Sequence, residues 1–325
     1  MDKELEEIYN RVLEVLEGGT ERLYIDPSDF ATAYEIALSK ESTAISDKID
    51  SIMQELYPEN TLAVLIHARN TAMKGNPLKA LALYESLDID EIEMDHWGEL
   101  PFISHCAIVA GKRKDALANF KRYIRHLTTP CEELEIHLSA LAVDLYTFGC
   151  DFESILELME MSVEKFHSPD ILIIAASNMI VINHPSKAVE YLKEASEIDP
   201  MNPQIWHMLT KSYMQVMEYN SMRDACRYYM ALCPDTKDFE MLLIQADCFL
   251  HERNYDLALN TIHKCAHIKG LNKEQRVMLA LATAQAMSGM GKPTKKIVEY
   301  LKRRERIVGD DTNINQMITD LQKEE

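Results

Sequence analysis

Residues 199–234 read DPMNPQIWHMLTKSYMQVMEYNSMRDACRYYMALCP, and this stretch decides the fold. It predicts a helix, a turn and a second helix, with a proline near each end. Trp206 and Tyr213, seven residues apart, lie on one face of the first helix. In the second helix the small residue Ala225 stands four residues before Tyr229, so the two share a face. The stretch therefore predicts two helices that pack closely at the small residue.

The same small position recurs along the chain. When one small or apolar residue of each second helix is taken as a marker, the successive intervals are 36, 36, 39, 33, 37, 33 and 39 residues. The markers are Ala44, Ala80, Ala116, Ile155, Ala188, Ala225, Ala258 and Ile297. Glycine or proline turns fall between the two helices of most pairs, as at Gly75, Gly111 and Gly291. The intervals predict about eight antiparallel helix pairs.

These marks resemble the tetratricopeptide repeat, which combines an aromatic residue, Leu, a small residue and an aromatic residue with a later Ala, aromatic residue and Pro. The resemblance covers residues 27–307 and is strongest over 169–268. It implies an all-α fold, a right-handed superhelical solenoid of helix pairs closed by a capping helix at each end. We therefore divide the chain into an N-terminal capping helix and linker at 1–26, the repeat array at 27–307, and a C-terminal capping helix at 308–325.

Composition and charge narrow the function classes. The 325 residues include only 10 Gly and 11 Pro, which favours helix over hairpin-rich folds. The formal charge of −19, from 34 basic and 53 acidic residues, repels nucleic acid and anionic membranes. Seven cysteines without a CxxC pair predict reduced thiols in a cytoplasmic protein. The acidic start and the lack of a long apolar run predict neither a signal peptide nor a membrane span.

The resemblance also implies where a partner binds. In this family the concave groove is lined by residues just off the core positions of each first helix, and the corresponding set here mixes charged, hydrogen-bonding and flexible side chains. The residues are Arg69, His105, Ser177, His207, Lys211, Met214, Gln215, Asp247 and His251. The set lacks the asparagines with which chaperone-binding members hold a terminal carboxylate. It predicts a non-catalytic cytoplasmic adaptor that binds a protein or peptide in the concave groove.

Three alternatives stay open at this point. The first is a regulatory sensor whose superhelix changes shape on binding a peptide or small ligand, and the second is a homodimer formed through a terminal helix. The third is an enzyme, although no phosphate loop, nucleophile elbow or GxGxxG occurs. In the segment HKCAH, His263 and His267 share a helical face while Cys265 points away, and Lys264 stands where a metalloprotease helix needs Glu. We expect ordinary surface histidines there, and no metal or cofactor.

Two basic runs interrupt the acidic chain. Residues 112–126 and 292–306 each carry a net charge of +5, and both fall on second helices. We interpret them as solvated convex faces, and the alternative is that they dock an acidic partner or the acidic N-terminal helix of this chain. The acidic segment 88–96 is predicted to be a longer connection between helix pairs.

Overall fold

In a computed structural model of the chain, the described residues are 3–18, 25–129, 132–149 and 152–323. Within these ranges all regular structure is helical, which confirms the all-α prediction. The α-helices are α1 Lys3–Leu16, α2 Pro27–Ser39, α3 Thr43–Leu56, α4 Thr61–Met73, α5 Pro77–Tyr84, α6 Ile89–Asp95, α7 Leu100–Val109, α8 Arg113–His126, α9 Glu132–Thr147, α10 Phe152–Phe166, α11 Pro169–Val181, α12 Pro185–Ile198, α13 Pro203–Gln215, α14 Tyr219–Leu232, α15 Phe239–His251, α16 Tyr255–Ala266, α17 Lys273–Gly289, α18 Thr294–Val308 and α19 Thr312–Lys323, with a 3-10 helix at Trp97–Glu99. In the described part of the chain, no helix combines the length and the apolar character that crossing a membrane would need.

The chain divides into two compact units, residues 1–167 and 168–325. The first unit contains α1–α10 and the second α11–α19. The hand of the superhelix, the number of true repeats and the proposed boundaries of the capping segments stay predictions. Parts of the predicted linker at 19–24, the proline mark at Pro130 and the turn at 150–151 lie outside the described residues.

A left-handed turn residue lies between the two helices of each pair in the described chain. These residues are Glu41, Gly75, Gly111, Gly149, Asn183, Met217, Arg253 and Gly291, with φ between +55° and +79°. At seven of these turns, those for which the structure describes the next residue, the next backbone amide donates to the carbonyl five residues earlier, as from His184 to Met179 at 2.7 Å and from Glu218 to Tyr213 at 2.9 Å. This Schellman arrangement ends the first helix and turns the chain back on itself. Glycine occupies four of the eight positions, and these turns can be recognised in the sequence. The other four positions hold residues that do not mark a left-handed turn by themselves.

The small-residue markers lie in the core with one exception. Ala80, Ala116, Ala188 and Ala258 have no accessible surface, and Ile155, Ala225 and Ile297 are also buried. Ala44 is exposed, so the marker chosen for α3 was wrong. Ala44 lies in the first turn of α3, and the buried stripe of that helix passes through Ser46, Ile49 and Met53 instead.

Both terminal segments form helices that bury an apolar stripe within their own unit. In the first unit, α1 packs Tyr9, Val12 and Val15 into the cluster formed with α2 and α3. In the second unit, α19 packs Ile314 and Ile318 against α17 and α18. These contacts cover apolar surface of the neighbouring helices, as a capping helix does.

We expect Ala258→Trp to destabilise the protein by about 1–3 kcal/mol or more, because a large ring cannot fit at a fully buried helix contact. Leu257→Trp is the matched control, since Leu257 is the preceding residue of α16 and is exposed. Urea unfolding of both variants measures the effect. Equal free energies of unfolding for the two variants would show that the repeat register is wrong.

Candidate functional site

The nine predicted partner-binding residues all lie on the first helix of a pair. In the first unit, Arg69 lies on α4 and His105 on α7. In the second unit, Ser177 lies on α11, followed by His207, Lys211, Met214 and Gln215 on α13 and by Asp247 and His251 on α15. Six of the nine therefore occupy α13 and α15, and these six define what we call the α13–α15 surface.

Two side chains of α13, those of His207 and Lys211, contact acids at the start of α15. His207 Nε2 lies 2.9 Å from Asp238 Oδ2, and Lys211 Nζ lies 2.8 Å from Glu240 Oε2. Asp238 also caps α15, because its Oδ1 accepts from the amides of Glu240 and Met241. Partial burial acts to raise the pKa of Asp238, but the Met241 amide and the His207 ring outweigh it and the pKa is lowered. Asp238 thus stays ionised and fixes the position of His207.

The remaining residues of the α13–α15 surface differ in exposure. Met214 and Gln215, at the end of α13, are exposed, as the sequence predicts. His207 and Lys211 are part-exposed, and each is paired with an acid. The acids that hold them come from the next first helix. Ser177, on α11, is half-buried.

A cavity of about 740 Å³ lies beside the α15 part of this surface. Asp247 and His251 line it, together with Met217, Tyr219 and Arg223 from the turn and the start of α14. Met217 and Tyr219 are largely exposed, so the cavity edge is partly apolar. Sequence reasoning missed these two residues because it considered only first helices. Their signal was a pair of large side chains in the turn of the best-formed repeat.

Arg69, in the first unit, is mostly buried between two carboxylates. Its guanidinium contacts Glu35 on α2 and lies 3.4 Å from Glu99 Oε1, with the ring centroid of Phe102 4.0 Å away. Burial alone would lower the pKa of Arg69, but Glu99 and Glu35 reverse this effect and raise it. Burial raises the pKa of Glu99, which also accepts a hydrogen bond from the Tyr84 hydroxyl at 3.0 Å. Arg69 is therefore bound within the unit and is not a free ligand-binding cation.

A second cavity, of about 440 Å³, lies next to Arg69. Within the predicted connection at 88–96, residues Ile89–Asp95 form α6, and the following 3-10 turn brings Trp97 to the cavity. The ring of Trp97 lies 5.8 Å from that of Tyr123. Burial, with a smaller effect of Arg69, lowers the pKa of His137 in the same wall. The connection thus contributes an aromatic side chain to the cavity.

His105, on α7, pairs with Asp144 on α9. The hydrogen bond to this carboxylate raises the pKa of His105, against partial desolvation. The contacts of Arg69, His105 and His207 with their acids span 34, 39 and 31 residues, which is close to one repeat. Each joins the first helices of successive pairs. A sequence signal for these contacts existed. An acidic residue stands about one repeat away from each of the three predicted groove residues Arg69, His105 and His207.

The segment HKCAH, residues 263–267, lies at the end of α16. His263 and His267 are exposed while Cys265 is fully buried, which confirms that the cysteine points away from the two histidines. Among the residues that the structure describes, no group of three His, Cys, Asp or Glu side chains is placed to hold a metal ion.

Comparisons with known proteins concern the fold. No protein-family model and no curated protein matches the sequence. Among solved structures, MamA is 18% identical, with 54% of this chain and 92% of that chain covered and a TM-score of 0.42. The pilF protein of Pseudomonas aeruginosa is 14% identical, with coverages of 72% and 99% and a TM-score of 0.44. A tetratricopeptide repeat protein from Parabacteroides merdae is 11% identical, with coverages of 91% and 98% and a TM-score of 0.41. The chain resembles these repeat proteins.

We expect Asp144→Asn to lower the pKa of His105 toward its ordinary value, because the variant removes the carboxylate that holds the imidazolium. The pair stabilises the fold fully below the ordinary histidine pKa, and this contribution is lost as the pH rises through the raised value. NMR titration of the histidine ring signals measures the shift. Glu135→Gln, an exposed change on the same helix, is the control, and an unchanged His105 pKa in Asp144→Asn would contradict the assignment.

Proposed function

We propose that the chain is a non-catalytic cytoplasmic adaptor that binds a protein or peptide along the α13–α15 surface, the part of the predicted concave groove with the most candidate residues. The observation that carries the proposal is the pair of contacts from α13 to α15, His207 with Asp238 and Lys211 with Glu240. They set the relative position of two successive first helices while Met214 and Gln215 stay exposed beside them.

Such an arrangement suits a peptide partner for an energetic reason. Binding usually requires the ordering of side chains at the interface, and side chains already held in ion pairs lose less conformational freedom. His207 is further confined by the ring of Tyr229, whose centroid lies 5.4 Å away. Met214 supplies a flexible thioether that adapts to the shape of an apolar anchor. Part of the surface is thus preorganised and part is adaptable.

The net charge supports a protein partner over the other classes. A chain of charge −19 repels nucleic acid and anionic lipid at long range. A homodimer through a terminal helix has less support, because both terminal helices already bury an apolar stripe. Tyr9, Val12 and Val15 of α1 and Ile314 and Ile318 of α19 pack inside their own units.

We expect the triple variant Met214→Ser, Gln215→Ala, His251→Ala to keep its melting temperature within a few degrees and to lose affinity at least about tenfold. The three side chains are exposed, so their truncation leaves the core unchanged. Peptides selected on the wild-type protein from a display library provide the ligand, and isothermal titration calorimetry gives the Kd.

The control for this experiment is the double reversal Lys295→Glu, Lys296→Glu. Both residues are exposed on α18 and lie outside the α13–α15 surface. We expect it to alter the Kd of the selected peptides little. If the double reversal abolished binding while the triple variant bound normally, the basic second helices would be the working surface and the proposal would be wrong.

A further inference from the structure

A cleft of about 490 Å³ lies among α16, α17 and α18 of the second unit. Its walls are mainly apolar, formed by side chains such as Ile262, Leu271 and Leu279. The charged residues that line it are Arg276 and Arg304, and no Asp or Glu is among them. In a chain with 53 acidic residues, this mainly apolar cleft therefore has two arginines and no acidic residue in its lining.

The basic run at 112–126 shows how cations are neutralised elsewhere in this protein. Lys112 pairs with Glu85, Lys121 with Glu157, and Arg122 with both Asp90 and Glu93 at 3.1 and 3.0 Å. All these acids belong to the first unit, as do the cations. Three of the six cations of this run are therefore paired with acids of the first unit.

The basic run at 292–306 differs. Across the described residues no ion pair involves its cations, which are Lys292, Lys295, Lys296, Lys302, Arg303, Arg304 and Arg306. Arg304 instead lies over the ring of Tyr300, 5.2 Å from the centroid, and both residues line the cleft. Ile307 lies three residues after Arg304, on the same face of α18. It also lines the cleft and is 60% exposed. The second run thus combines uncompensated positive charge with exposed apolar surface.

We propose that the α16–α18 cleft docks an acidic segment of a partner protein, whose apolar side chains enter the cleft while its carboxylates face Arg276 and Arg304. Charge complementarity selects this partner class, because a basic or neutral segment would leave the cations of α18 without counter-charges. Apolar burial supplies affinity at the cleft, and the arginines supply orientation through hydrogen bonds to carboxylates. This site is separate from the α13–α15 surface and does not depend on the function proposed above.

Arg304 and Arg303 provide a matched pair of variants. They are adjacent and exposed on α18, and Arg304 lines the cleft while Arg303 does not. Arg303→Glu and Arg304→Glu change the net charge equally, so a diffuse electrostatic attraction would weaken by the same amount in both. A specific contact in the cleft would be lost only in Arg304→Glu. A third variant, Ile307→Ser, tests the apolar contribution without a change in charge.

The probe is a fluorescein-labelled synthetic peptide with two LEELLEE heptads, and fluorescence anisotropy measures its affinity. We expect Arg304→Glu to weaken binding about tenfold, Arg303→Glu by no more than about threefold, and Ile307→Ser about fivefold. A peptide with every Leu replaced by Ser should not bind. Circular dichroism melting of each variant verifies that the fold is retained.

Other outcomes would overturn the proposal. Equal weakening by the two arginine reversals would show diffuse attraction, and tight binding of the serine peptide would show that the cleft is not used. Unchanged affinity in both Arg304→Glu and Ile307→Ser would place the peptide elsewhere. The triple variant at Met214, Gln215 and His251 should bind this probe as the wild type does, so each proposal can fail without the other.

Discussion

The close packing of two helices around a small, buried side chain is the constraint on which several of the helix pairs depend. Ala80, Ala116, Ala188 and Ala258 have no accessible surface, and each lies on the second helix of a closely packed pair. Interhelical distance depends on the side chains at the contact, and a methyl group permits the short end of the observed range. The left-handed residue in each turn then fixes the direction in which the second helix returns. In these four pairs the turn residue precedes the packing residue by five residues, as Gly75 precedes Ala80, so both constraints act within a short segment.

The features that could be predicted from the sequence are those that depend on residues close to one another along the chain. The spacing of small residues and the glycines at positions such as Gly75 and Gly111 are local features, and they predicted helices and turns of the all-α fold correctly. Ala44 failed as a marker because the buried face of α3 is set by packing against α1, α2 and α4, in which Ile49 and Met53 take part. The ion pairs of the candidate site were missed for a similar reason. Each joins residues about one repeat apart, and a local pattern does not show which acid meets which cation.

Local charge arrangement explains more about this protein than its net charge does. Lys211 of α13 pairs with an acid of the next first helix, α15, and Arg122 of α8 pairs with two acids of α6. The buried contact of Arg69 with Glu99 belongs to a different class, because desolvation opposes it. Such a pair contributes little net stability, but removing one partner leaves a buried charge uncompensated. It therefore favours the register in which the 3-10 turn at Trp97–Glu99 meets α4.

The turn at Met217 shows how backbone strain and surface chemistry are linked. A residue with a Cβ atom at φ +62° has a conformational penalty of about 1–2 kcal/mol that glycine, found in the equivalent turns at Gly75, Gly111 and Gly291, does not have. The helices on both sides and the hydrogen bond from Glu218 to Tyr213 hold the turn in place despite this penalty. In the strained conformation the Met217 side chain lines the cavity beside His251. A glycine at this position would relax the backbone and remove a thioether from the cavity wall, so a single substitution would change conformational strain and surface polarizability together.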